Sequence, residues 1–351
     1  MTIQTPGRIC LFGEHQDYLG LPVIPMAISL NSQIIGERSK RKEVIINKPD
    51  LNESESFLFN DLAYTKTRDY FKSGLKVCIN EGLLFSTGVE CEITSQIPIQ
   101  AGCGSSSAIM VGWIHFLSQM ADQPPNWDRQ KIGELAYRAE VTEFIEPGGM
   151  MDQYSSAVGG TIYLESEPEI SIRELSSNLG AFVLGDSGEP KDTMGILQHC
   201  RDNRLTIIQK LKIQNPDFDL HSCDSDFNAE GLKDDEKVLL EGTIRNRDLL
   251  RQALQELEKD KPDHELIGKL LSEHHPVLRD VLKVSTSKIE TMLDAALNTG
   301  ALGGKINGSG GGGCMFAIAP DNPQAVAEAI EKAGGKAYIV EPAAGSRIIA
   351  S

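Results

Sequence analysis

The sequence predicts a mixed α/β (α+β) protein in two lobes. Three observations carry that expectation. The chain has 351 residues, beyond the length at which a single core usually keeps growing. Up to about residue 175, short β-rich runs alternate with amphipathic helical segments. Beyond it, long and charged helical stretches take over, with no linker of biased composition at the change. The lobes are accordingly placed at 1–175 and 176–351.

The first strand is expected over Arg8 to Phe12, a second at Val44 to Ile46, and a third in the alternating GVECEITSQI from Gly88 to Ile97. Between the last two, RDYFKSGLKVCINEGLL puts Phe71, Leu75 and Cys78 on one helical face. After Gly104, SSSAIMVGWIHFLSQMA repeats Ile109, Trp113, Phe116 and Met120 at three- and four-residue steps. Serine is a preferred N-cap, so this helix should start at the serines, with Trp113 and Met120 in its core stripe. A helix from about Arg129 to Phe144 leads through EPGGMMDQYSSAVGG to a strand at TIYLE. In the second part a strand AFVLGDS precedes helices near Thr193–Leu211, Lys233–Leu257, His264–Leu282 and Ser287–Leu297. Asp234, Asp235 and Glu236 suit the positive end of their helix, and Glu273-His274-His275 reads as a solvated face. Strands CMFAIA and KAYIVE bracket a helix at Pro323–Ala333, and SRIIA adds a last strand. No fixed-period repeat is visible.

A net charge of −16 repels nucleic acid and anionic membrane surfaces, so neither is expected as a partner. A small anionic ligand stays compatible, because backbone dipoles and a metal override the net field locally. The cysteines at 10, 78, 91, 103, 200, 223 and 314 are scattered without metal-ligand spacing, which suggests reduced thiols in a cytoplasmic protein. No signal peptide is evident, and no apolar run approaches the roughly 20 residues needed to cross a bilayer. No coiled-coil pattern suggests assembly, so a monomer is expected.

Three constellations carry chemistry. In PGRICLFGEHQDYLG, residues 6–20, the charged or titratable Arg8, Glu14, His15 and Asp17 surround an apolar run. Unpaired charge is costly to bury, so such a cluster has a use. In IPIQAGCGSSSA, residues 97–108, small residues let backbone approach a ligand, and the following helix presents free N–H groups. That combination suits phosphate, the serines adding donors or a magnesium ligand; a serine-capped tight turn is the plainer reading. No G-x-x-x-x-G-K-[ST] loop occurs. In GGKINGSGGGGC, residues 303–314, G-x-G-x-x-G is met at Gly308, Gly310 and Gly313. A preceding helix and a following strand are the wrong order for a dinucleotide fold, which leaves a shaped turn near a phosphoryl group or a linker. Between the last two motifs lies Asp152, after two glycines and two methionines. Partial desolvation would raise its basicity, as a general base needs; an Asx turn or helix cap is the alternative.

Taken in order, these segments resemble the GHMP small-molecule kinases, the family of galactokinase, homoserine kinase, mevalonate kinase and phosphomevalonate kinase. The resemblance spans nearly the whole chain. It implies a ribosomal-S5-like N-terminal lobe and a ferredoxin-like C-terminal lobe with the site between them. GRICLFGEHQDYLG is similar to the galactokinase signature. By that likeness Arg8 is the catalytic cation, and Glu14, His15, Asp17, Tyr18 and Gly149 contact the sugar. AGCGSSSA resembles the family's phosphate-binding motif, which assigns Gly102, Gly104, Ser105, Ser106 and Ser107 to ATP. Ser106 and Glu140 then correspond to the magnesium ligands. GGMMDQ resembles the galactokinase segment that carries the base, here Asp152, and NGSGGGG the third motif, with Gly310 beside the phosphates. The implied activity is ATP- and Mg2+-dependent phosphorylation of a monosaccharide at its anomeric hydroxyl.

The sequence also departs from the galactokinase pattern. Gln16 and Leu19 replace the usual threonine and asparagine, GDSGEPKDT stands where Asn-Ser-Asn is usual, and the sugar-contacting tyrosine beyond it has no counterpart. Galacturonate, glucuronate, arabinose, fucose or a heptose phosphate therefore stay open beside galactose, with Lys191 available to an anionic substituent. Two alternatives are a mevalonate-type kinase and a sugar sensor without turnover. The intact GSSSA, Arg8 and Asp152 speak against the sensor.

Overall fold

The structure is a computed structural model that describes residues 1–175, 178–190, 192–224, 227 and 229–349. Lys191 lies outside the described residues. Strands β1 (Thr2–Phe12), β2 (Ile24–Ser39), β3 (Glu43–Lys48), β4 (Glu53–Leu58), β5 (Gly88–Ser95), β6 (Thr161–Glu165), β7 (Ser171–Leu175) and a short C-terminal β12 (Arg347–Ile349) form one sheet. Its main path runs β12-β1-β2-β5-β3-β4, and β6 joins β2 to β7. Strands β8 (Phe182–Asp186), β9 (Gly303–Ile306), β10 (Cys314–Ile318) and β11 (Lys336–Val340) form a second sheet in the order β11-β8-β10-β9.

Helices α1 (Tyr70–Asn80), α2 (Ser105–Met120), α3 (Arg129–Glu140) and α4 (Met151–Val158) belong to the first half, and α1 to α3 share a core with the first sheet. Helices α5 (Thr193–Gln214), α6 (Asp234–Leu257), α7 (His264–Pro276), α8 (Ser287–Asn298) and α9 (Pro323–Lys332) belong to the second. Trp113 and Phe116 of α2 are fully buried, as their spacing predicts, and the ring of Phe71 meets Trp113 edge-on. The chain ends by crossing back: β12 pairs antiparallel with β1, and Ser346 bonds the carbonyls of Ser156 and Ala157 at the end of α4.

Several elements differ from expectation for identifiable reasons. Strand β2 is a 16-residue element, hidden because its polar middle breaks the alternation where it passes from β6 to β5. GGKI forms β9, so the glycine motif is the loop of a β9–β10 hairpin and no helix directly precedes it. The helix expected to reach Phe144 stops at Glu140, followed by a 3-10 turn that ends at Ile145 with φ 54°. Glu273-His274-His275 is not a solvated face. His274 is fully buried against the Phe12 ring, and His275 donates from Nε2 to Glu290 at 2.8 Å. Burial holds the His274 pKa well below its usual range, with the Lys305 charge adding to the effect.

Candidate active site

A cavity of about 470 Å3 collects residues from β1, the N-terminus of α2, the end of α3, the start of α4, the start of α5 and the β9–β10 loop. Strand β1 delivers the first of them through a bulge. Its register on β2 slips between Pro6 and Arg8, where Gly7 passes within 2.9 Å, measured from an ideal Cβ, of the Cys103 carbonyl. The Arg8 amide bonds that same carbonyl at 2.9 Å. The bulge re-aims the Arg8 side chain.

Arg8 grips Asp152 with two nitrogens, Nε to Oδ1 at 2.8 Å and Nη2 to Oδ2 at 2.7 Å. A third, Nη1, donates to the Gly102 carbonyl. Burial by itself would lower the Arg8 pKa, but Asp152, with help from Glu14, leaves it raised, so the guanidinium stays charged. Asp152 sits in the first turn of α4, where a carboxylate suits the helix dipole, and its side chain remains 26% exposed to the cavity. Gly102 and Gly104 hold φ of 84° and 69°, a region that favours glycine, and the chain then enters α2 at Ser105. The free N–H groups at that end lie beside Asp152, whose Oδ2 is 3.5 Å from an ideal Cβ on Gly104.

Glu140, at the C-terminal end of α3, is buried among donors. Gln153 Nε2 donates to its Oε2 at 2.7 Å and to Ser107 Oγ at 3.2 Å. Burial raises the Glu140 pKa, while hydrogen bonds from Ser106, Gln153 and Ser107 pull it down. The Ser106 hydroxyl and Glu140 carboxylate thus form a small cluster of hard oxygens. No group of three His, Cys, Asp or Glu able to hold a metal occurs among the described residues. Two protein oxygens fit magnesium, which keeps most of its shell for phosphate and water.

Asp17 faces the same space. Its Oδ1 accepts from the Tyr18 amide at 3.0 Å and its Oδ2 from the Met151 amide at 3.3 Å. Burial, then the Asp152 charge, pushes its pKa up to about 6. Gly149 lies directly beneath: an ideal Cβ there would stand 1.8 Å from Asp17 Oδ2. Gly149→Ala should therefore displace the carboxylate. If Asp17 contacts the acceptor, as the resemblance implies, the change should raise the acceptor's KM about tenfold or more and leave the ATP KM within threefold, the scale of one charge-assisted hydrogen bond. Steady-state kinetics in both substrates check this.

The neighbouring loop is pinned from the other half of the chain. Arg204 of α5 donates to Tyr18 Oη at 2.5 Å, Tyr18 Oη and His15 Nδ1 are 2.8 Å apart, and His15 Nε2 meets the Ser309 carbonyl at 3.1 Å. A carbonyl only accepts, so Nε2 carries the proton and Tyr18 donates to Nδ1. Lys305 donates to Glu14 Oε2 at 2.8 Å. Asn307 donates to the Gly102 carbonyl at 2.8 Å and accepts from the Cys10 amide at 2.9 Å, tying β1 to both glycine loops.

Comparison with known proteins gives this arrangement a family. Models of the GHMP kinases N terminal domain and the GHMP kinases C terminal match residues 69–160 and 250–336, and the galactokinase galactose-binding signature matches residues 1–37. The mevalonate kinase of Thermococcus gammatolerans is 32% identical over 96% of this chain and 94% of its own length. The chain is a GHMP kinase. The galactokinase of Pyrococcus furiosus is 26% identical, covering 98% of both chains. Among solved structures, Lactococcus lactis galactokinase complexed with galactose superposes with a TM-score of 0.86 at 20% identity, covering 99% of this chain and 95% of that one. The Methanococcus jannaschii mevalonate kinase gives 0.74 at 21%, covering 98% of each. The two-lobed α/β fold is thus that of the GHMP kinases, and no helix of the described residues is long and apolar enough to cross a membrane.

In this GHMP kinase Arg8, Glu14, His15, Asp17, Tyr18, Gly102, Gly104, Ser105, Ser106, Ser107, Glu140, Gly149 and Asp152 all line the one cavity. Gly310 does not. It packs behind the hairpin loop against Val284, and Gly308 and Ser309 take the cavity side. The Tyr18 hydroxyl is already committed between Arg204 and His15. Leu19, where galactokinases carry asparagine, turns into an apolar cluster with Ile207, Leu211 and Phe218. Lys305, Asn307, Gln153 and Arg204 escaped the sequence reading. A lysine between glycine and isoleucine in a strand is a signal for Lys305; nothing near Arg204 marks it.

The raised Asp17 pKa has a consequence for stability. The native value, about 6, lies above the ordinary 3.8, so the folded chain binds the proton more tightly than the unfolded one. Ionised Asp17 therefore costs stability above pH 6, and that cost disappears as pH falls from 6 toward 4. Asp17→Asn should raise the ligand-free Tm by about 2–6 °C at pH 8 and leave it unchanged near pH 4. Thermal melts across that range test the sign.

Proposed function

We propose that this GHMP kinase transfers the γ-phosphoryl group of ATP to a neutral monosaccharide at its anomeric hydroxyl. Phosphoryl transfer asks mainly for positioning and charge neutralisation, and the two ends of the cavity divide those tasks. Leu51, Tyr70, Phe71, Ile99 and Ile109 line one end, with Leu51 and Ile99 left 50% and 61% exposed at its mouth. Large apolar side chains in that state suit a nucleoside base. The phosphates then run along 102–107 at the N-terminus of α2. Ser106 and Glu140 would hold magnesium, which when bound supplies charge neutralisation on the phosphates. Asp152 takes the hydroxyl proton of the acceptor. Arg8 fixes its orientation and faces the charge that develops on the transferred group.

The nature of the acceptor rests on one observation. Around Asp152 and Arg8 the cavity presents the carboxylates of Asp17 and Glu14, and every lining arginine or lysine among the described residues is already paired. Arg8 holds Asp152, Lys48 holds Glu53 and Glu55, and Arg68 holds Glu146. Carboxylates accept hydrogen bonds from hydroxyls and repel an anion, so a neutral polyol suits this part better than a carboxylate such as mevalonate. The galactose-binding signature over residues 1–37 supports the same choice. The mevalonate kinases at 32% and 29% identity favour the other acceptor, and Lys191, outside the described residues, is the cation it would call on. Release of ADP from ATP and magnesium with a panel of free sugars, uronic acids, heptoses and mevalonate separates the two. The proposal expects turnover with a neutral hexose or pentose. Turnover with mevalonate alone would reject it.

A further inference from the structure

Glu14 follows β1 by one residue beyond Gly13, and its carboxylate is half engaged before any substrate arrives. Lys305 Nζ donates to Glu14 Oε2 at 2.8 Å and to the Ile306 carbonyl at 3.0 Å. Its remaining side lies over the Phe316 ring, 5.1 Å from the centroid. Lys305 is 0% exposed and Glu14 only 2%. The ammonium is therefore satisfied and has no path of its own to a ligand. Glu14 keeps Oε1. It lines the cavity, and no hydrogen bond among the described residues reaches that oxygen.

A buried ion pair is a weak source of net stability, since well-packed apolar residues of similar volume usually serve as well or better. What the pair supplies is direction. Lys305 rises from the second sheet, whereas Glu14 belongs to the loop after β1 in the first. Asn246 of α6 donates to the Glu14 carbonyl at 2.9 Å, so the second half of the chain fixes both the backbone and the carboxylate of this residue. A side chain held at one oxygen presents the other in a set place, and hydrogen-bond readout of a hydroxyl depends on such placement.

We propose that Lys305 is a positioning residue for substrate recognition: it holds Glu14 by Oε2 so that Oε1 stands as a second hydroxyl acceptor beside Asp17. The substrate class that follows is a polyol offering at least two hydroxyl donors to carboxylates, in addition to the hydroxyl that is phosphorylated. The inference rests on the reading of this part of the cavity as the acceptor-substrate site.

Four variants test it: Lys305→Met, Lys305→Arg, Glu14→Gln and the charge-neutral double variant Lys305→Met with Glu14→Gln. D-galactose and mevalonate are titrated into each by calorimetry, and kinetics follow with whichever the unmodified protein turns over. Lys305→Met should raise the acceptor's Kd and KM about ten- to a hundredfold, with the ATP KM within threefold. Lys305→Arg should recover part of that loss, because an arginine can still hold Oε2. The double variant removes the unpaired buried charge, so it keeps the test available if Lys305→Met does not fold; its acceptor KM should match that of Glu14→Gln alone. A folded Lys305→Met with an unchanged acceptor KM overturns the proposal, as does a double variant that binds acceptor normally. Preference for mevalonate by the unmodified protein would instead overturn the sugar reading, and the same variants then read Lys305 with mevalonate.

Discussion

Asp152→Asn should lower kcat by about 10²–10⁴ and leave the binding of acceptor and ATP largely intact, since general-base catalysis is commonly worth that much. Asparagine keeps the shape and one acceptor oxygen for Arg8, but it cannot take a proton. The geometry makes the substitution specific. Asp152 is held by two Arg8 nitrogens at 2.7 and 2.8 Å, and its side chain is still 26% exposed to the cavity where the acceptor would lie. Its charge is paired with Arg8, and it also bears on the neighbouring carboxyls of Asp17 and Glu140, whose pKa values it raises. Single-turnover measurements at saturating ATP, beside calorimetric binding of both ligands, separate the chemical step from affinity. Turnover within a few-fold of the unmodified protein, in a variant folded by circular dichroism, would reduce Asp152 to a helix-start residue.

Arg8→Met should cost about 10²–10³ in kcat, the scale seen when one preorganised stabilising donor is removed. It should weaken binding as well, because three separate contacts disappear. Asp152 loses both nitrogens of its one partner, Arg8, and the Gly102 carbonyl keeps only Asn307 as a donor from this cluster. Lysine at this position should rescue only part of the rate, since a single ammonium cannot reproduce the two-nitrogen grip. The double variant Arg8→Met with Asp152→Asn should lose less than the product of the two single losses, because the residues act as a unit. A full product would mean that they contribute separately.

The proposed catalytic pair was visible in the sequence through its local settings. Arg8 is a charge at the edge of an apolar run, and Asp152 follows two glycines and two methionines; both were legible as residues that need a reason. The pairing between them was not, because it joins positions 144 residues apart. Glu14 shows the limit more sharply. Its cluster read as a set of free acceptors, but one of its oxygens belongs to Lys305, 291 residues further on. Tyr18 lost its hydroxyl to Arg204 and His15 in the same way.

Helices were read well where an apolar stripe is regular, as in α2 and α8. The serine cap expected for α2 is absent, because Gly104 stands at its N-cap with no capping side chain and the serines form its first turn. Strands were missed where glycine or polar residues hide the alternation. GGKI became β9 because the second sheet packs tightly enough to exclude a side chain: an ideal Cβ on Gly304 would meet the Phe316 carbonyl at 2.5 Å. His274 was misjudged because its neighbour Glu273 is exposed enough to be solvated, although the next helical face turns inward onto Phe12. Burial of a histidine depends on what the far side of the helix meets, and that information lies elsewhere in the chain.

The most direct test of the account is 31P and proton NMR of the product formed from ATP, magnesium and D-galactose or mevalonate, offered together at equal concentration. The account predicts a phosphomonoester on the sugar, its phosphorus split by the anomeric proton, at a rate that Asp152→Asn nearly abolishes. Phosphate found on mevalonate with the sugar untouched would contradict it.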